Sequence, residues 1–205
     1  MLQMADAPPV VLASGSRTRA RLLEAAGVAV SRLPAVVDES AIRAALQAEG
    51  IAAGDAAVAL AELKVQRIAT RVPPQAVALG ADQILTCEGR WFEKPEGPAP
   101  ARAQLAALAG RRHELWTAVV AFRDGARVWH HLASAKLWAR PCSPAFIDAY
   151  LTTLGEDAFQ SVGAYQVEGL GAQLFSRIEG DPFAIQGLPL LEVLEFLRIQ
   201  GVLLR

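Results

Sequence analysis

The 205-residue chain is 53% hydrophobic and 20% charged, with a formal net charge of −1. That is ample apolar material for one sizeable core, and the near-neutral balance leaves no electrostatic footprint for nucleic acid or an acidic membrane surface. Cys87 and Cys142 stand alone without metal-type spacing, the N-terminus lacks the basic start and apolar run of a signal peptide, and no window is apolar enough to span a bilayer. The expectation is a cytoplasmic protein forming one domain over residues 1–205, with residues 1–9 a disordered tail and a homodimer left open.

In chain order, Val10–Ala13 reads as a buried strand and Thr18–Ala26 as a helix stopped by Gly27. Between them, Ser14-Gly15-Ser16-Arg17-Thr18-Arg19 makes an anion site. Ser14 or Ser16 can cap the helix, Gly15 lets the backbone approach a ligand, and the first amides point outward. Arg17 and Arg19 add charged planar forks, although an ordinary cap with surface arginines fits the turn about as well. Val36–Ser40 reads as a loop holding Asp38-Glu39, followed by helices over Ala41–Glu49 and Asp55–Arg71. Ala76–Gly80 and Ile84–Cys87 read as two strands around a turn at Ala81-Asp82-Gln83, with a hairpin turn at Glu88-Gly89. Trp91–Gly97 is irregular, Pro98–Ala109 helical, and Glu114–Phe122 and Ala126–Leu137 are strands joined by Asp124-Gly125. A helix opens at Ser143 or Pro144 and runs to Leu154. Ser161–Gly171 is irregular, Gln173–Ile178 a strand, Asp181–Ile185 one helical turn and Pro189–Ile199 a closing helix. This mixture predicts an α/β sandwich of helices about a mixed central sheet with a cleft.

The chain has 17 arginines but only three lysines, Lys64, Lys94 and Lys136, so a lysine at a working position suggests a need for a compact ammonium. Asp82 follows an apolar run, where open sheets place ligands, and a carboxylate there can bind a divalent ion or orient water. Glu39, Glu93 and Lys94 can converge on it from other loops; a turn-forming aspartate and solvated surface charges are the plain alternatives. His113 at a strand start reads as structural, and Thr117 as a minor phosphate or sugar contact. In Ser161–Gly171, Tyr165 could stack on a base while Gln166 and Glu168 bond its edge.

Taken in order, Leu12-Ala13-Ser14-Gly15-Ser16-x-x-Arg19, Val37-Asp38-Glu39, Leu60-Ala61-x-x-Lys64, Gly80-Ala81-Asp82, Lys94-Pro95, Gly110-Arg111-x-His113-Glu114, Gly163-Ala164-Tyr165, Glu168-Gly169 and Arg177-Ile178-Glu179-Gly180-Asp181 through Gly187-Leu188-Pro189-Leu190 resemble the Maf nucleotide pyrophosphatases over nearly the whole chain. The resemblance implies an α/β/α fold with a cleft like that of the inosine-triphosphate pyrophosphatases. It implies hydrolysis of a nucleoside triphosphate to monophosphate and pyrophosphate with a divalent cation, Mg²⁺ or Mn²⁺, and a link to cell-division arrest or nucleotide-pool housekeeping. It casts Asp82 as the general base, Ser14, Ser16, Arg19, Lys64 and Lys94 around the phosphates, and Glu39 with Asp82 at the metal. Thr18, Gln83 and Glu168 fall at the positions that sort substrates. Thr18 stands where the family's first arginine is usual, and Ala184 where an asparagine is. Gln83 and Glu168 resemble the 7-methyl-GTP branch, whereas Thr18 and Gln166 do not. A carboxylate at position 168 suits the two N–H donors of a guanine edge better than uracil. A nucleotide-binding regulator with little catalysis is the alternative; the absence of a Gly-Lys-Ser/Thr phosphate loop disfavours a kinase.

Overall fold

The computed structural model describes residues 3–205. Strands β1 (Val10–Leu12), β2 (Val30–Arg32), β3 (Val77–Cys87), β4 (Arg90–Phe92), β5 (Arg112–Arg123), β6 (Ala126–Ala139) and β7 (Phe175–Glu179) form one sheet in the order β2-β1-β3-β5-β6-β7, with β4 on the far end of β3. β1 is parallel to β2 and β3, and the other pairs are antiparallel, so the expected mixed sheet is observed. The hairpins turn on Glu88-Gly89 and Asp124-Gly125, whose φ angles are all positive, as a tight two-residue turn requires.

Side-chain alternation divides the core. Val77, Leu79 and Ala81 of β3 face α1 (Arg17–Ala25) and α7 (Leu190–Ile199) through Leu22, Leu23, Val193, Phe196 and Leu197. Ala78 and Ile84 face the opposite way, onto α3 (Ala53–Ile68) through Leu60, Ala61 and Val65. α2 (Glu39–Ala48) covers the same side, its Ile42 and Leu46 joining that cluster. Further along, Leu85, Leu115 and Leu137 meet α4 (Pro98–Leu108) and α5 (Pro144–Leu154). The short α6 (Pro182–Ile185) is capped by Asp181, which accepts from Phe183 and Ala184 amides. No helix among the described residues is long and apolar enough to cross a membrane.

Three local expectations change. Ala81-Asp82-Gln83 is not a turn: β3 continues unbroken through it, because all three residues pair with Thr117–Val119 of β5. β2 was not anticipated, since Val30-Ser31-Arg32 is a three-residue edge with two polar members. Within the segment expected to be disordered, Met1 and Leu2 lie outside the described residues; Gln3 bridges Leu203, and the Met4 amide donates to the Val202 carbonyl.

Candidate active site

The sheet leaves a gap that becomes the site. β1 stops at Leu12, opposite Leu79 of β3, and β4 takes up the same edge only at Leu85. Residues 80–84 of β3 therefore have an unpaired edge, and a cleft of about 470 Å³ opens against it. That size suits a small-molecule ligand, for which clefts of roughly 300–1,000 Å³ are usual. The Ser14–Arg19 turn forms one wall, the start of α2 another, and residues 160–168 the far end.

The turn is held from within. Ser16 is the helix cap, accepting from the Arg19 amide at 3.3 Å, while Ser14 Oγ accepts from the Ser16 amide and from Arg19 Nη1, each at 3.2 Å. The first-turn amides of Arg17 and Thr18 are left without an intrahelical acceptor. Arg19 is buried: Nε donates to the Gly187 carbonyl at 2.7 Å and Nη1 to Ala81 at 2.9 Å, on the unpaired edge of β3. Burial pulls its pKa below the usual arginine value, partly offset by Asp82 and then Glu39. A guanidinium has five N–H donors, so two engaged nitrogens leave others for a ligand. Arg17, by contrast, is exposed and does not line the cleft, so the pair of arginine forks expected from this turn reduces to one.

Asp82 lies on the cleft floor, 3% exposed. It shares the α3 face with Gly80, where the helix comes so close that a Cβ on Gly80 would stand 2.1 Å from the Ala61 carbonyl oxygen. Lys64, one turn beyond Ala61, then reaches Asp82 Oδ1 at 2.6 Å and Glu39 Oε1 at 2.9 Å. The second oxygen of each carboxylate meets Arg43: Nη2 is 3.0 Å from Asp82 Oδ2 and 3.5 Å from Glu39 Oε2. Asp38 caps α2 by accepting from the Ala41 amide, which starts the helix at Glu39 and sets Glu39 and Arg43 one turn apart on the same face. Lys94 lines the mouth. Partial desolvation, and then Arg19, pull its ammonium below 10.5. Glu93 beside it accepts from the Ser40 hydroxyl.

The far end differs from expectation in one residue, Thr117. Tyr165 lines the cleft although only 5% exposed, its hydroxyl paired with His113 Nε2 at 2.9 Å and its ring edge-on to Phe175, so it stands as a fixed wall. Thr117 is 1% exposed and touches no open space; its hydroxyl donates to the Ala184 carbonyl and accepts from Gln83 Nε2. Gln83 Nε2 also donates to the Ala184 and Ile185 carbonyls, so the carbonyl oxygen of its amide is what it can offer a ligand. Thr18, Gln166 and Glu168 line the cleft, with Gln166 donating to the Asp157 carbonyl and Glu168 within 3.6 Å of Arg21 on α1.

The structure thus brings together Ser14, Ser16, Thr18, Arg19, Glu39, Lys64, Asp82, Gln83, Lys94 and Glu168 around one cleft. Arg43 was missed from the sequence, where its one local signal is its spacing from Glu39. A match to the Maf-like protein family model covers residues 9–200. The chain belongs to that family. It is 52% identical over 197 residues to a nucleoside triphosphate pyrophosphatase of Rhodospirillum rubrum, covering 96% of this chain and 97% of that one. It is also 52% identical to the protein of that name from Paramagnetospirillum magneticum, over 94% and 99% of the two chains, and 46% identical to that of Caulobacter vibrioides, over 95% and 97%.

Proposed function

We propose that this Maf-like protein is a nucleoside triphosphate pyrophosphatase, hydrolysing the bond between the α- and β-phosphates to release a monophosphate and pyrophosphate. The observation that carries the reading is a buried carboxylate, Asp82, gripped through one oxygen by Lys64 and through the other by Arg43, on the floor of a cleft that Arg19 and Lys94 also line. Such a site matches a polyanion with a reacting phosphorus: the cations take the charge and the carboxylate takes the proton of an attacking water. Each Asp82 oxygen keeps a lone pair beside its ion pair for that task. Arg19, Lys64 and Lys94 neutralise the charge that grows on departing pyrophosphate, and the first-turn amides of α1 hold its oxygens.

A divalent cation fits the donor set as a guest of the nucleotide. One ammonium, Lys64, already bridges Asp82 and Glu39, so both carboxylates can reach a single cation. Among the described residues no group of three or more His, Cys, Asp or Glu side chains could hold an ion, so phosphate oxygens and water would complete the shell, the usual arrangement for Mg²⁺. When bound, it would add charge neutralisation of the phosphates and polarise the reacting phosphorus. Gln83 and Glu168 both present acceptors, which supports a base with adjacent N–H donors, such as guanine or a modified guanine, over uracil or thymine. We place the reaction in the cytoplasm, where nucleoside triphosphates are made and the unpaired Cys87 and Cys142 stay reduced.

The test is product analysis with GTP, 7-methyl-GTP, UTP and dTTP in Mg²⁺ or Mn²⁺. Monophosphate with pyrophosphate supports the reading, diphosphate with phosphate refutes it, and nucleotide binding without turnover would make the protein a regulator instead. Asp82→Asn should still bind nucleotide and lose at least about 10²-fold in turnover, the scale of a lost general base; near-normal rates would remove Asp82 from the chemistry.

A further inference from the structure

Arg43 is 7% exposed, has no role in the core and lines the cleft from α2. Its one engaged nitrogen, Nη2, serves two carboxylates, at 3.0 Å and 3.5 Å. Its Nε, although buried, has no hydrogen-bond partner among the described residues. A buried charged donor left unpaired is costly and calls for an explanation. The carboxylates it serves are the ones a divalent ion would need. Asp82 and Glu39 supply two negative charges, and Lys64 and Arg43 already match them; the further charges lining the cleft, Arg19 and Lys94 against Glu93 and Glu168, cancel. A bare divalent ion would find both carboxylates already neutralised and have to displace two cations from them. A triphosphate makes the neutral cleft negative and offers acceptors to its donors, the idle Nε of Arg43 included.

We propose that Arg43 is a built-in counter-ion of the Asp82–Glu39 pair, a positioning residue that makes divalent-ion binding conditional on the nucleotide. Before the nucleotide enters, Arg43 holds both carboxylates in place and keeps a free ion out. With the nucleotide bound, the guanidinium releases its longer, weaker contact to Glu39 and turns to a phosphate oxygen, freeing carboxylate oxygen for the incoming cation. The nucleotide half of this statement rests on the reading above; the exclusion of the free ion does not.

Mn²⁺ binding to the purified protein, followed by loss of the free-ion paramagnetic signal, tests it. Arg43→Met keeps the length of the stem and removes the charge. With no nucleotide present, it should bind Mn²⁺ at least about tenfold more tightly than wild type, since a unit charge is lifted from beside the ligands. Arg43→Lys should bind as weakly as wild type, and adding Asp82→Asn to Arg43→Met should abolish the gain. An α,β-methylene triphosphate analogue should then tighten Mn²⁺ binding to wild type by a larger factor than to Arg43→Met, because the coupling runs through the arginine. Equal Mn²⁺ affinity of wild type and a folded Arg43→Met protein overturns the proposal, as does equal coupling in the two. The arm without nucleotide bears on Arg43 alone, whereas failure of the wild type to release pyrophosphate bears on the reaction.

Discussion

Gly80 is where the α3 helix and the β3 strand touch, and Gly80→Ala should break the site through the fold. The new methyl carbon would lie 2.1 Å from the Ala61 carbonyl oxygen and 2.6 Å from Val65 Cγ2, against 3.4 Å for an ordinary contact. The Val65 side chain can rotate, but the carbonyl belongs to helix backbone and cannot, so α3 must retreat by about 1 Å or the strand must bow. Overpacking of this kind costs about 3 kcal/mol, the upper end of its usual range. For a chain of this size that is a fall in melting temperature of roughly 6–12 °C. The same retreat carries Lys64, which sits between Ala61 and Val65, away from its 2.6 Å contact with Asp82. A misplacement of about 1 Å at a reacting centre can cost about 10²-fold in rate. Scanning calorimetry and a pyrophosphate-release assay measure the two effects. Gly15→Ala is the control: a Cβ there meets nothing within 4 Å, so it should melt close to wild type. A Gly80→Ala protein melting within about 2 °C of wild type, with its rate intact, would refute the claim that this contact sets the distance between Lys64 and Asp82.

Two further outcomes follow from buried polar groups outside the reacting centre. His113 has a pKa pushed by burial down to about 4 from 6.5, so it is neutral in the fold and the unfolded chain binds the extra proton between those values. Stability is therefore whole above pH 6.5 and falls as the pH drops toward 4, by up to about 3 kcal/mol from this group; denaturant titrations at pH 7 and pH 4.5 should show His113→Phe losing less over that interval than wild type, and equal losses would sink the assignment. Thr117→Val keeps the shape but removes the hydroxyl that accepts from Gln83 and donates to Ala184, and should cost about 1 kcal/mol while raising KM more than it lowers kcat; an unchanged KM would show that Gln83 does not need this partner.

What the sequence shows and what it hides divide along the range of the interaction. Hairpins at Glu88-Gly89 and Asp124-Gly125, the cap at Asp181 and the helix stop at Gly27 are local events, decided by residues next to one another, and each is present. Gly80-Ala81-Asp82-Gln83 carries the local signature of a turn, yet pairing with β5 holds it straight. Thr117 carries a hydroxyl able to touch a nucleotide, and only its burial, set by elements far away in sequence, keeps it out of the cleft lining. Arg43 is the converse: a charged residue in an amphipathic helix gives no sign that it will meet Asp82, 39 positions away.

The strand that overrode the turn also sets the geometry of the cleft. Had residues 81–83 formed a loop, Asp82 and Gln83 would have had no fixed relation. In a continuous strand they project to opposite faces by the two-residue repeat: Asp82 to α3 and its lysine, Gln83 to the carbonyls of α6. Both still reach one cleft because the edge between them is unpaired, β1 having ended and β4 not yet begun. On the proposed reading, the reacting end and the base-reading end are adjacent residues of one strand, placed by alternation on either side of a gap in the sheet.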